Sequence, residues 1–281
     1  MILSMVCWGF SWTAGKIMAE YGDPLTISFF RFAITFLSLL LIMLFIKTPL
    51  IVNSKGLFDL ITASVLMSIY TFLFFKGLTA GKAGAGGVLV TVLNPILSYG
   101  LMLLMTRRKP TRHETLGLLL GLLAGAILLR LLTEADKVFN AGNIYFLLAA
   151  LVWAVLSIFT SRASRYGSTV AFSFYLYGIC TVLMFLLAGW GGAQTTFAKA
   201  GLVFWGNLFF SATITTSLAT TLYFVATSRL GASQASSFIF LVPISAALGS
   251  WIFLDEIPQL NTITGGLLGI VAVYVLNRKE Q

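Results

Sequence analysis

The chain has 281 residues, of which 58% are hydrophobic and 10% charged, and its mean hydropathy is +0.96. A soluble domain carries roughly 25% charged residues, so this composition excludes one. The formal charge of +9 does not indicate nucleic acid, because the basic residues sit in short loops between apolar runs, the pattern of a chain oriented in a bilayer.

In chain order the apolar runs predict ten spans, at 1–20, 25–46, 57–78, 83–105, 114–132, 141–160, 169–190, 201–226, 231–253 and 262–277. Crossing a bilayer takes about 20 apolar residues, and in lipid only helices or closed barrels satisfy every backbone group. These runs are too long for barrel strands, so the expected fold class is an all-α integral membrane protein with ten transmembrane helices. Turn-forming and charged residues mark the breaks: Gly22-Asp23-Pro24, Asn53 to Gly56, Arg165-Tyr166-Gly167 and Asp255 to Pro258. The first run has no basic residue ahead of it and no small-residue cleavage site before Trp8, so it reads as a retained span. Cys7 and Cys180 both fall inside spans, which argues against a disulfide framework.

Alternate loops differ in charge. One set holds Lys47, Lys55, Arg107, Arg108, Lys109, Arg112, Arg162, Arg165, Arg229, Arg278 and Lys279; the other holds Glu20, Asp23, Lys82, Glu134, Asp136, Lys137, Asp255 and Glu256. The positive-inside rule places the first set and both termini in the cytoplasm of a cell inner membrane protein.

The chain also repeats itself. A shift of 148 positions aligns Pro95, Pro110, Gly117 and Gly121 with Pro243, Pro258, Gly265 and Gly269, and a shift of 145 pairs Trp8 with Trp153. This divides the chain into units at 1–134 and 139–279, five spans each. An odd number of spans turns the second unit upside down, giving two inverted five-helix repeats, the plan of secondary transporters whose site lies between the halves near the midplane.

The stretches Trp8 to Lys16, Pro24 with Phe30-Arg31-Phe32, and Gly231-Ala232-Ser233 through Pro243 to Leu254-Asp255-Glu256, Gly265-Gly266 and Tyr274 resemble the EamA domains of the drug/metabolite transporter superfamily. The resemblance covers nearly the whole chain as two tandem domains. Two positions depart from it: Arg108 stands where the second half has Glu256, and Ser161-Arg162 stands near the lysine position of the first-helix motif. The resemblance implies a ten-helix carrier, usually an exporter of amino acids, drugs or other small metabolites.

Several residues are candidates for the mechanism. Pro95 and Pro243 free the carbonyls of Thr91 and Ile239 in mid-span, as hinges or as ligands. Thr91, Asn94 and Ser98 share one helical face, and polar faces in lipid turn inward. With Ser64, Ser68 and Thr71 in span three, Thr213, Thr216, Ser217 and Thr220 in span eight and Ser233 and Ser237 in span nine, they suggest a polar cavity lined by spans three, four, eight and nine; interhelical packing is the alternative role. Lys16 and Arg31 lie toward the outer ends of their spans, where long side chains can snorkel. They read either as a basic vestibule for a substrate carboxylate or phosphate, or as scaffold.

Trp12, Tyr70, Tyr99, Trp153, Tyr175 and Tyr177 offer an aromatic wall. The expected substrate-binding set is Trp12, Lys16, Tyr70, Thr91, Asn94, Tyr99, Trp153, Tyr175 and Ser237, with Pro95 and Pro243 as hinges. No span has a central carboxylate, which disfavours proton-for-cation exchange, and with His113 as the one histidine the sequence offers no catalytic or metal constellation. The expectation is therefore a carrier, not an enzyme, with no cofactor. Its partners are a small molecule such as an amino acid and the lipid bilayer, and it acts as a monomer or homodimer. Uptake of a metabolite or nucleotide derivative is the alternative to export.

Overall fold

Long apolar runs close their own hydrogen bonds as helices, and the computed structural model, which describes residues 2–131, 142–220, 222 and 241–276, is built of them. The helices are α1 (Ile2–Met18), α2 (Pro24–Ile46), α3 (Leu57–Ala80), α4 (Ala83–Thr106), α5 (Arg112–Leu128), α6 (Asn143–Thr160), α7 (Thr169–Lys199), α8 (Leu202–Leu218), α9 (Leu241–Leu254) and α10 (Leu260–Leu276). No strand occurs among the described residues; an isolated antiparallel bridge, Val52 to Gly167, ties two loops together. By length and composition α2, α3, α4, α6 and α7 suffice to cross a membrane, while the described parts of α8, α9 and α10 are shorter apolar helices. The first part of the predicted ninth span lies outside the described residues.

Local chemistry sets several helix ends. Asp23 accepts hydrogen bonds from the backbone N–H groups of Leu25 and Thr26, with Pro24 as the first helical residue, so α2 starts there. It stops where Lys47 takes a left-handed conformation (φ 50°). Thr111 and Glu114 form a capping box at the start of α5. Gly189, at φ +71°, breaks α7 close to the predicted end of its span, and the chain continues helical to Lys199.

Small residues bring the helices together. A Cβ on Gly117 would lie 3.0 Å from the Ala272 carbonyl oxygen and 2.9 Å from Leu276. A Cβ on Gly265 would lie 3.1 Å from the Ala124 carbonyl oxygen and 2.7 Å from Leu128. Each residue of one contact stands 148 positions from its counterpart in the other, so α5 and α10 pack antiparallel through one contact made twice. The helices α2 with α7 and α4 with α9 also pack against each other. The packing of α1 on α9 is matched by that of α6 on α4, and the packing of α3 on α6 by that of α1 on α8.

The ends are tied as well. The ring of Phe146 fills the notch left by Gly77 at the end of α3 and Gly86 at the start of α4. At that same end the Glu256 carboxylate accepts hydrogen bonds from the N–H groups of Ala83 (3.2 Å) and Gly84 (3.0 Å), capping α4. At the opposite end, which carries the basic loops, buried Asp59 accepts a 2.7 Å hydrogen bond from the Tyr166 hydroxyl and faces Arg162 at 3.5 Å. The hydrogen bond to Asp59 pushes the Tyr166 phenol up from its ordinary range.

Candidate substrate site

Helical spacing puts Arg31, Thr35 and Ser38 on one face of α2, and that polar stripe meets α8 where α8 changes register. Residues Leu202–Phe209 of α8 are α-helical, whereas Phe210–Leu218 form a π-helix. The wider ring spacing is stabilised from within by hydroxyls: Thr216 donates to the Ser211 carbonyl (2.8 Å) and Ser217 to the Ala212 carbonyl (3.0 Å), both five residues back. Hydrogen bonds join the two helices. Thr35 donates to the Ala212 carbonyl at 3.4 Å, Ser217 donates to the Thr35 carbonyl at 3.5 Å, Ser38 and Thr213 share a 2.8 Å hydroxyl pair, and the Arg31 guanidinium donates to Thr216 Oγ1 at 3.4 Å. From α1 the Trp8 indole donates to the Thr215 carbonyl at 3.0 Å. A π-helical turn inside an α-helix often marks a functional site.

The Arg31 guanidinium lies over the rings of Phe74 and Phe75, 5.4 and 6.0 Å from their centroids. The phenols of Tyr70 and Tyr177 are within its electrostatic reach. Tyr70 packs on Trp153 (4.7 Å) and Phe74 packs on Trp12 (4.7 Å), so aromatic groups of α1 and α6 back the α3 rings. Arg31 is half-buried. Among the described residues no carboxylate pairs with it, and its hydrogen bond to Thr216 is long. Ring contacts of this kind contribute about 0.5–2 kcal/mol, whereas taking an ion out of water costs several kcal/mol. The described residues in contact with Arg31 therefore leave its positive charge unbalanced. A small cavity is lined by Thr216 and Tyr177 together with Leu39 and Val170.

The remaining expected site residues fall in three places. Thr91 and Asn94 lie mid-way along α4, on the face where Gly84 meets Ser250 and Ala247 and Gly87 meets Ala246 and Trp12, which is the α1–α9 side. Thr91 donates to the Gly87 carbonyl at 2.5 Å, and the buried Asn94 Oδ1 has no hydrogen-bond partner among the described residues. α4 runs helically through Pro95, and Pro243 is buried near the start of the described part of α9.

A second group is bound up at the helix ends. Lys16 Nζ donates to the carbonyls of Leu78 (2.5 Å) and Gly81 (2.9 Å), capping α3. Tyr99 hydrogen-bonds Glu114 and receives a 3.1 Å bond from Arg108. Hydrogen bonding to Glu114 raises the Arg108 guanidinium further above its ordinary range. Tyr175 is exposed and donates to the Leu50 carbonyl at 2.8 Å, away from the aromatic cluster. Ser237 lies outside the described residues. Trp12, finally, is a core residue, buried between Phe74, Phe146 and Gly87.

Arg31 is the residue the sequence undervalued. Its position toward the outer end of α2 suggested snorkelling, but the side chain turns into the protein. The signal was available in Thr35 and Ser38, four and seven residues on, which extend a polar stripe inward from the arginine. Among the described residues, polar contacts join α2 and α8; Ser233 and Ser237 of the expected cavity lie outside the described residues.

An all-helical chain with five long apolar helices and a polar seam inside its packing has the architecture of a polytopic membrane carrier. The EamA-like transporter family matches residues 1–130 and 140–278, and the chain belongs to that family. It is similar to YoaV, an uncharacterized transporter of Bacillus subtilis, at 24% identity over 95% of this chain and 92% of that protein. A second B. subtilis transporter, YyaM, is 23% identical over 97% of this chain and 93% of its own length. An uncharacterized transporter of Archaeoglobus fulgidus is 24% identical, covering 100% and 98%. A solved crystal structure shares the fold with a TM-score of 0.62 at 16% identity, over 97% of this chain and 94% of the other. The chain is thus a multi-pass membrane protein and a transporter.

Proposed function

We propose that the chain exports a small solute, an amino acid or a related compound, by alternating access between two inverted five-helix repeats at 1–134 and 139–279. The observation that carries this reading is the doubled contact of α5 and α10, in which Gly117 meets Ala272 and Leu276 as Gly265 meets Ala124 and Leu128. A contact repeated at one offset between antiparallel helices is what a two-fold axis in the membrane plane produces. Two halves related in this way can exchange inward-open and outward-open arrangements at little cost in energy. The loop charges support a cytoplasmic location for both termini in the inner membrane. Asn94, an orphaned acceptor beside the Thr91 carbonyl that Pro95 leaves without its helical donor, suits the ammonium of an amino acid.

Counterflow into proteoliposomes, with a panel of amino acids and metabolites and with and without a pH gradient, tests the reading. Accumulation of a labelled amino acid driven by unlabelled solute inside is the expected result. Failure of every amino acid, with another metabolite class accumulating, overturns the substrate assignment.

A further inference from the structure

We infer that Arg31 is the anion-binding group of the site and that the solute it holds carries a free carboxylate. This deepens the export reading and rests on it for the word solute, though binding can be measured without transport. Three observations converge on Arg31. Arg31 is half-buried, with its guanidinium held between Thr216 of α8 and the rings of α3. Its contacts among the described residues are neutral, Thr216 at 3.4 Å and the rings of Phe74 and Phe75, and the phenols of Tyr70 and Tyr177 lie within its electrostatic reach. Thr216 and Tyr177 also line a small cavity that extends to Leu39 and Val170.

A guanidinium has five N–H donors in a planar fork, and one long bond to a hydroxyl leaves that fork open for a two-oxygen acceptor. Charge chooses among anions. Arg31 supplies a single positive charge, and Lys16 is engaged with the Leu78 and Gly81 carbonyls. A carboxylate leaves the pair neutral. A phosphate dianion leaves a net negative charge, since none of the contacts of Arg31 among the described residues is a second cation. The phenols of Tyr70 and Tyr177 can donate to the carboxylate oxygens as it arrives.

Purified full-length protein in nanodiscs tests this through its melting temperature, titrated with sodium benzoate against neutral benzamide at ionic strength held with sodium chloride. Benzoate is expected to raise the melting temperature saturably and benzamide is not. Arg31→Gln should abolish the benzoate shift, and Arg31→Lys, which keeps the charge but loses the fork, should weaken half-saturation by about tenfold or more. If Arg31→Gln does not fold, the Lys variant carries the comparison. An equal response to benzoate and benzamide, or a benzoate response in either variant like that of the native protein, overturns the inference. The two readings separate in counterflow. Amino acids and their amides moving equally well leaves transport intact and removes the carboxylate assignment, whereas benzoate binding without amino-acid counterflow does the reverse.

Discussion

Gly117 and Gly265 make the same contact from opposite halves of the chain: each lets a backbone carbonyl four residues before a leucine come close, Ala272 and Leu276 for the first, Ala124 and Leu128 for the second. Neither glycine needs an unusual backbone conformation. What each supplies is the absence of a side chain where two helix backbones meet. The contact joins the ends of the two proposed repeats.

This seam predicts matched costs. Gly117→Ala or Gly265→Ala introduces a Cβ about 3 Å from backbone, which forces α5 and α10 apart and costs about 1–3 kcal/mol as overpacking. Thermal unfolding in detergent should show similar losses for the two single variants. An effect from one glycine alone contradicts the reciprocal seam.

The cap on α4 predicts a local effect. Glu256 reaches from the loop after α9 to the first amides of α4, an interaction of about 0.3–2 kcal/mol for a carboxylate at a helix N-terminus. Glu256→Ala should therefore speed hydrogen exchange at Ala83 and Gly84 while leaving the amides of α5 and α10 protected. Unchanged exchange at those two amides argues that water satisfies them without Glu256.

The helices were legible in the sequence because in lipid one signal, an apolar run with turn residues at its ends, decides both existence and length. Asp23-Pro24 fixed the start of α2 and Gly189 the break of α7 near the expected residue 190. Register inside a helix was not legible. The π-helix at Phe210–Leu218 depends on which carbonyl a threonine or serine hydroxyl reaches, and the pattern of polar and apolar residues is the same for both registers. Side-chain direction was equally hidden. Lys16 and Arg31 both stand near outer helix ends, yet one caps α3 and the other turns inward over Phe74, because their neighbours and not their depth decide where a long cation goes.

Asn94 separates stability from transport. Its buried Oδ1 lacks a donor among the described residues, a deficit of about 1–3 kcal/mol. Asn94→Leu removes the deficit with little change in volume, so the melting temperature should hold or rise. If the orphaned acceptor serves the solute, counterflow by that variant should fall at least about tenfold, the loss of one hydrogen bond to a charged group. Intact counterflow with raised stability assigns Asn94 to packing alone.

Lys16 gives the opposite expectation. Its ammonium bonds two carbonyls at the C-terminus of α3, which favours a cation both as a donor and against the helix dipole. Hydrogen bonds to a charged group are worth about 1.5–3 kcal/mol, so Lys16→Met should lower the melting temperature by that order. The half-saturating benzoate concentration should stay within about twofold of the native value, a shift well under 1 kcal/mol, because Arg31 and not Lys16 carries the charge in the aromatic cluster. A Lys16→Met protein that melts normally but no longer responds to benzoate would move the anion site from Arg31 to the end of α3.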